Sequence, residues 1–206
     1  MALWLAAQPL VLASGSKVRR AVLEAAAIPV EIVPADIDER TVAAEAAAGG
    51  APLAASDTAT LLARAKAMAV ARAMPGRIVL GADQTLALGD RQLHKPDGRM
   101  QAADQLRVLR GKSHALHSAV ALVRGEEVLF AHVAVATLTM RNFSEDFLAR
   151  YLDVAGEDVL HSVGAYQLEG QGSHLFERVD GDYFTVLGLP LLPLLDFFRR
   201  QGWVAG

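Results

Sequence analysis

The stretch RIVLGADQT, residues 77–85, decides how the rest of the chain is read. Ile78, Val79 and Leu80 make a short apolar run of the kind a buried strand requires, and Gly81-Ala82 are too small to crowd their neighbours. Asp83 then sets a carboxylate at the carboxyl end of that strand, which is where open α/β sheets bind ligands. Polar Gln84 and Thr85 come next, succeeded by Leu86, Ala87 and Leu88, so the acid is not part of a polar tract. A carboxylate in such surroundings stays ionised only beside a cation or a metal. The plainer reading is a turn or helix-cap aspartate.

Working outward, residues 9–13 read as a first strand, Ser14-Gly15-Ser16 as a turn and residues 17–27 as a helix. Residues 28–33 are extended, 34–41 form a loop carrying Asp36, Asp38 and Glu39, and 43–52 are an alanine- and glycine-rich connection. A long helix is expected over 57–73, closed by Pro75-Gly76 ahead of the Asp83 strand. Gly89 to Gln92 looks like a hairpin turn, and a further helix is expected over 101–110. Two strands flank Gly125, at 117–124 and 127–139, the second partly alternating as a half-buried strand does. A short helix over 142–152, a glycine-punctuated loop over 164–176, a strand at 183–186 and a closing helix over 191–200 complete the chain. Helices mixed with both buried and one-sided strands predict an α/β (α+β, mixed-sheet) architecture.

The totals narrow the function. The 206 residues suit one domain or a single two-lobed unit, and 52% apolar content supports a packed core. A net charge of −3 gives no general attraction for nucleic acid, and no aromatic-basic stripe is present. Without cysteine there is neither disulfide nor thiolate chemistry. The apolar start MALWLAAQPLVLA has no preceding positive residue and runs into the first strand, so no signal peptide is expected. No apolar run reaches membrane-spanning length, and the expected location is cytoplasmic.

Three basic positions could hold phosphate. Ser14 and Ser16 lie in a strand–turn–helix start that would expose backbone N–H groups, with Arg19 beside them to offer a planar donor fork. The Walker spacing is absent, and an ordinary serine N-cap explains the same residues. Lys66 sits among alanines, and Lys95 is restrained ahead of Pro96. A bare carboxylate would repel a triphosphate, so Asp83 with Glu39, or with Asp38, is suited to hold a divalent cation through oxygen ligands and water. A carboxylate there could also deprotonate the attacking water. The six histidines, at 94, 114, 117, 132, 161 and 174, show no zinc spacing.

Taken in order, LASGSKVRR (12–20), DIDE (36–39), ARAKA (63–67), GADQ (81–84), KP (95–96), LRVLRGKSH (106–114), HSVGAYQLEGQG (161–172) and VLGLPL (186–191) resemble the Maf family of nucleotide pyrophosphatases. That family is related in fold to inosine triphosphatase. The resemblance implies a two-lobed α/β protein around a deep cleft, usually a dimer, with the whole of 1–206 as one Maf-like domain. It implies hydrolysis of nucleoside triphosphates at the α–β linkage with a divalent metal, Mg²⁺ first and Mn²⁺ or Co²⁺ as alternatives. Carried over by position, Ser14, Ser16, Arg19, Lys66 and Lys95 would bind phosphates, Glu39 and Asp83 the metal, and Asp83 would be the general base.

Specificity rests on the same resemblance. The dTTP/UTP branch has proline and arginine where Lys17 and Val18 stand, threonine for Gln84, lysine for Ser162 and glutamine for Glu169. This chain shares Gln84, His161 and Glu169 with the 7-methyl-GTP branch, and departs from it at Val18, where that branch tends to be aromatic. Glu169 could accept two donors from a guanine edge. The alternatives are a dTTP/UTP pyrophosphatase and a nucleotide-binding regulator of septum formation without significant turnover.

Overall fold

β1 (Leu10–Leu12) is buried on both faces, which is why three consecutive apolar residues form it and why it sits inside a sheet. The computed structural model describes residues 2–48 and 53–206, and within them seven strands form one mixed sheet in the order β2-β1-β3-β5-β6-β7, with β4 paired to β3. β1 runs parallel to β2 (Val30–Ile32) and to β3 (Ile78–Leu88); α1 (Lys17–Ala25) makes the β1–β2 crossover. All other pairings, among β3, β4 (Arg91–Leu93), β5 (Ser113–Arg124), β6 (Glu127–Met140) and β7 (Phe176–Asp180), are antiparallel. The expected mixed α/β architecture is what the chain adopts.

Alternation along the long strands decides what each face carries. Val11, Ala13, Val79, Ala119, Ala121 and Val123 point to one face, where they meet the alanine stripe of α3 (Ala55–Ala73): Ala59, Ala63, Ala67 and Ala71. The four-residue spacing puts these alanines on one side of the helix, so it lies close against the sheet. Gly81 sits beneath them. A Cβ built there would stand 2.0 Å from the Ala63 carbonyl oxygen and 2.7 Å from the Ala67 nitrogen.

The opposite face holds two apolar cores. Leu10, Leu12, Leu80, Ala82, Val120 and Leu122 pack under α1 and α7 (Leu191–Arg200). Leu86, Leu116, Ala136 and Leu138 pack under α4 (Arg99–Leu109) and α5 (Glu145–Ala155). Between them the same face carries Gln84 and Ser118, which are paired in register across β3 and β5. This polar pair interrupts the apolar face and separates the two cores.

Several expectations from sequence are corrected. The Asp83 strand does not end at the acid; it runs on to Leu88, because Gln84 and Thr85 find buried partners and stay in the ladder. Asp83 still lies beyond the end of its parallel neighbour β1, which stops at Leu12. Glu39 is not in a loop but opens α2 (Glu39–Ala47), capped by Asp38. The connection read over 43–52 is therefore helical through residue 47, and residues 49–52 lie outside the described residues. Residues 183–186 form no strand but a one-turn helix, α6 (Tyr183–Val186). Its cap, Asp182, accepts bonds from the Thr185 backbone N–H at 2.9 Å and the Thr185 hydroxyl at 3.1 Å. The capping aspartate outweighs the strand propensity of Tyr, Phe, Thr and Val.

The close approach at Gly81 generates a stability test. Gly81→Ala is expected to lower the unfolding free energy by about 1–3 kcal/mol through overpacking of α3 on β3, read from urea midpoints.

Candidate active site

Alternation places Asp83 on the α3 face and Gln84 on the other, so two neighbouring residues serve two sides of the sheet. Over Asp83, α3 delivers Lys66. Its ammonium donates to the Asp83 carboxylate at 2.6 Å and stands 2.7 Å from Glu39 Oε1 at the start of α2. The Lys66 side chain is 11% exposed and that of Asp83 9%, against 50% for Glu39. The first pair is therefore shielded and the second open to water. Burial raises the Asp83 pKa above its ordinary value; Lys66 and then Arg19 work against it. A carboxylate whose pKa is raised in this way is a stronger proton acceptor than an exposed one.

Across the strand end, Ser14 is buried and Ser16 caps α1 by accepting from the Arg19 N–H at 3.3 Å. Both the capping role and the anion-binding geometry of a helix start are thus present in the same residue. Arg19 is held by three acceptors: Nε donates to Gly188 O at 2.9 Å, and Nη1 to Ala82 O at 2.8 Å and Ser14 Oγ at 3.1 Å. Nη2 has no acceptor among the described residues. Burial lowers the Arg19 pKa, with Asp83 and Glu39 opposing that shift.

All of these side chains except Asp83 line one cavity of about 860 Å³. Its lining includes Ser14, Ser16, Val18, Arg19, Glu39 and Lys66, with Gln84, Lys95 and Glu169 completing the set of sequence-predicted residues on its walls. Asp83 lines an adjoining cavity of about 510 Å³ that shares Glu39, Gln84 and Lys95 with the first. Every candidate named from sequence therefore comes to one place. Lys95 is exposed at the rim where both cavities meet. Gln84 is fixed from behind: its Nε2 donates to Ser118 Oγ at 2.8 Å, Thr185 O at 3.1 Å and Val186 O at 3.0 Å. The amide carbonyl is left for the cavity.

Asp38 takes the other role. One of its oxygens accepts from the Arg40 and Thr41 N–H groups and the second from the Thr41 hydroxyl, and these bonds lower its pKa. Both oxygens are committed to the cap, so Glu39 is the acid that faces Asp83.

A family profile described as Maf-like protein matches residues 9–201. The chain belongs to the Maf family. Among Maf relatives it is 57% identical over 205 residues to a nucleoside triphosphate pyrophosphatase of Rhodopseudomonas palustris, covering 100% of both chains. It is 52% identical over 205 residues to a protein of the same name from Bradyrhizobium diazoefficiens, again over 100% of each. A 7-methyl-GTP pyrophosphatase of Rhizobium etli is 52% identical over 198 residues, 96% of this chain and 98% of that one.

Sequence reasoning missed the residues that hold this Maf site in shape. Ser118 and Thr185 fix Gln84, and Ser118 could have been found only from the β3–β5 register. Tyr166, His114 and Tyr151 anchor the wall that carries Glu169, through bonds spanning up to 52 positions. No local pattern marks them.

Arg19 supplies the site's test. A lysine there cannot reach Gly188, Ala82 and Ser14 together, so Arg19→Lys is expected to cost about 2 kcal/mol of folding stability in urea unfolding although the charge is kept.

Proposed function

We propose that this protein hydrolyses nucleoside triphosphates between the α- and β-phosphates, releasing a nucleoside monophosphate and pyrophosphate. The observation that carries the reading is the ammonium of Lys66 at 2.6 Å from Asp83 and 2.7 Å from Glu39, on a cavity that the Ser14–Arg19 turn also lines and that shares Glu39 with the cavity of Asp83. Membership of a family whose relatives bear pyrophosphatase names supports it.

The chemistry is set by the donors. Ser14, Ser16, the first N–H groups of α1 and the Nη2 of Arg19 form one anion cradle; Lys66 and Lys95 form another across the cavity. Together they span a polyphosphate and neutralise part of its charge. Asp83 accepts the proton of a water that attacks the α-phosphorus, the bond from that phosphorus to the bridging oxygen breaks, and pyrophosphate leaves with the bond's electrons.

The donor set also fits a divalent metal. Among the described residues no group of three acidic or histidine side chains converges, but two carboxylates, Glu39 and Asp83, both contact the Lys66 ammonium, and a metal held by them would share their oxygens with that lysine. One or two carboxylates completed by water and substrate phosphates is the habit of Mg²⁺. Bound there, magnesium or a similar ion would supply charge neutralisation at the phosphates. The cradles and the Asp83 base would keep their roles.

For the base, Glu169 and the Gln84 carbonyl are acceptors on the cavity wall. Two acceptors suit the donor edge of guanine, including 7-methylguanine, better than uracil or thymine, which offer one donor. We infer a purine preference of the guanine type.

The test is a nucleotide panel with magnesium in ¹⁸O-labelled water. Monophosphate carrying the label, with unlabelled pyrophosphate, is expected, guanine-type substrates leading. Asp83→Asn is expected to lower kcat by about 10²–10⁴-fold with the fold retained. Diphosphate plus orthophosphate would contradict the cleavage site, a lead for dTTP and UTP would contradict the base preference, and tight binding without turnover would favour a regulator.

A further inference from the structure

One wall of the large cavity is made by a single irregular segment. The residues His161 to Val163 and Tyr166 to Glu169 all line it, in the same cavity as the Ser14–Arg19 turn. The segment has no ladder partner: it is built from short 3₁₀ turns, with local backbone bonds such as Ala165 N–H to Ser162 O at 3.3 Å and Gly170 N–H to Gln167 O at 3.2 Å. Such a stretch has few means of its own to stay in place.

Its backbone is nevertheless tightly constrained. Gly164 has φ +79 and a Cβ there would stand 2.6 Å from Leu86 Cδ1; Ala165 comes next at φ +60, an unfavourable conformation for alanine. Strain of this kind persists only where surrounding contacts impose it. Two tyrosine hydroxyls supply them from within the core. Tyr166 OH is hydrogen-bonded to His114 Nε2 at 2.7 Å, and Tyr151 OH on α5 donates to Ala165 O at 3.0 Å. The Tyr166 ring also stands edge-on against Phe176 at 4.8 Å. His114 is 2% exposed and its Nδ1 has no partner among the described residues, so the bond to Tyr166 is the one polar interaction its imidazole makes there. Burial holds that imidazole neutral, with its pKa pulled down to about 4.

We propose that Tyr166, through His114, is a positioning residue for base discrimination: it fixes the wall 161–169 so that Glu169 meets the nucleobase at a set distance. This rests on the proposed nucleotide hydrolysis and adds to it the device that holds the base-reading wall. The phosphate groups are bound by other elements, α1, α3 and the Lys95 loop, so loosening the wall separates base choice from phosphate chemistry.

The experiment compares wild type, Tyr166→Phe and the double variant Tyr166→Phe/His114→Leu. It measures kcat and KM for guanine, 7-methylguanine, uracil and thymine triphosphates, and Kd for their non-hydrolysable α,β-methylene analogues. Amide exchange over 161–170 is monitored by mass spectrometry. Tyr166→Phe is expected to reduce the KM and Kd ratios between best and worst base about tenfold, the worth of one buried hydrogen bond. The kcat for the best substrate should change less than threefold, and exchange over 161–170 should quicken. Removing both polar partners in the double variant is expected to recover thermal stability while discrimination stays low, which a merely structural role would not produce. Unchanged base ratios in Tyr166→Phe, or an equal loss of kcat on every nucleotide, would overturn the proposal. Wild-type protein that binds the analogues and cleaves nothing would overturn the enzymatic reading, and the wall assignment would then be decided by the Kd ratios.

Discussion

A buried ammonium shared between two carboxylates is the constraint on which the rest of the molecule depends. Lys66 and Asp83 face each other with little solvent, and each is the nearest shielded counter-charge of the other. A buried pair of this kind adds little net stability compared with a well-packed apolar pair, yet removing one partner costs about 3–5 kcal/mol. Under the proposed hydrolysis the pair has a chemical use: a carboxylate raised by burial and restrained by a neighbouring cation suits a base that takes a proton from water. The fold is arranged to bring the pair together. Four alanines on α3 and a glycine on β3 let helix and sheet approach closely above the strand that carries Asp83.

The other side of the sheet solves a different problem. Gln84 and Ser118 lie between the two apolar cores, and the amide of Gln84 is anchored to Ser118 and to the carbonyls of Thr185 and Val186. The two cores on either side pack independently, one beneath α1 and α7, the other beneath α4 and α5. Arg19 ties the first of these regions together by bonding Gly188, Ala82 and Ser14 at once. The same arginine thus serves as a brace and presents its remaining nitrogen to the cavity. If the proposed phosphate contact is made there, substitutions at Arg19 alter stability and ligand contact together.

Much of this is legible in the chain. The apolar runs at 10–12 and 78–80 announce buried strands, Ser16 announces a helix start, and the alanine-rich stretch announces α3 with its lysine. Asp83 and Lys66 can be named because each is an ionisable group set among small or apolar neighbours, whereas Glu39 and Arg19 lie in charged stretches. The features that fail to show depend on contacts distant in sequence. Gln84 and Thr85 look like the end of a strand because their partners, Ser118, Thr185 and Ala55, lie 30 or more positions away. Glu39 looks like a loop residue although Asp38 and Thr41 already spell a cap; the alanines after it give no amphipathic signal, and no residue of α2 is buried. Tyr183–Val186 has strand composition and is helical because of one preceding aspartate. The His114–Tyr166 bond cannot be inferred from any spacing at all.

The most direct test of the buried-pair chemistry is the ionisation of Asp83, tracked by carbon NMR of its labelled carboxyl in wild-type protein and in Lys66→Met, without nucleotide or metal. The predicted result is a wild-type pKa above 3.8, the ordinary aspartate value, and a further upward move in Lys66→Met, where burial acts without its nearest opposing cation. An Asp83 that titrates at its ordinary value in both proteins would contradict this, because the acid would then be neither shielded by the fold nor governed by the lysine over it.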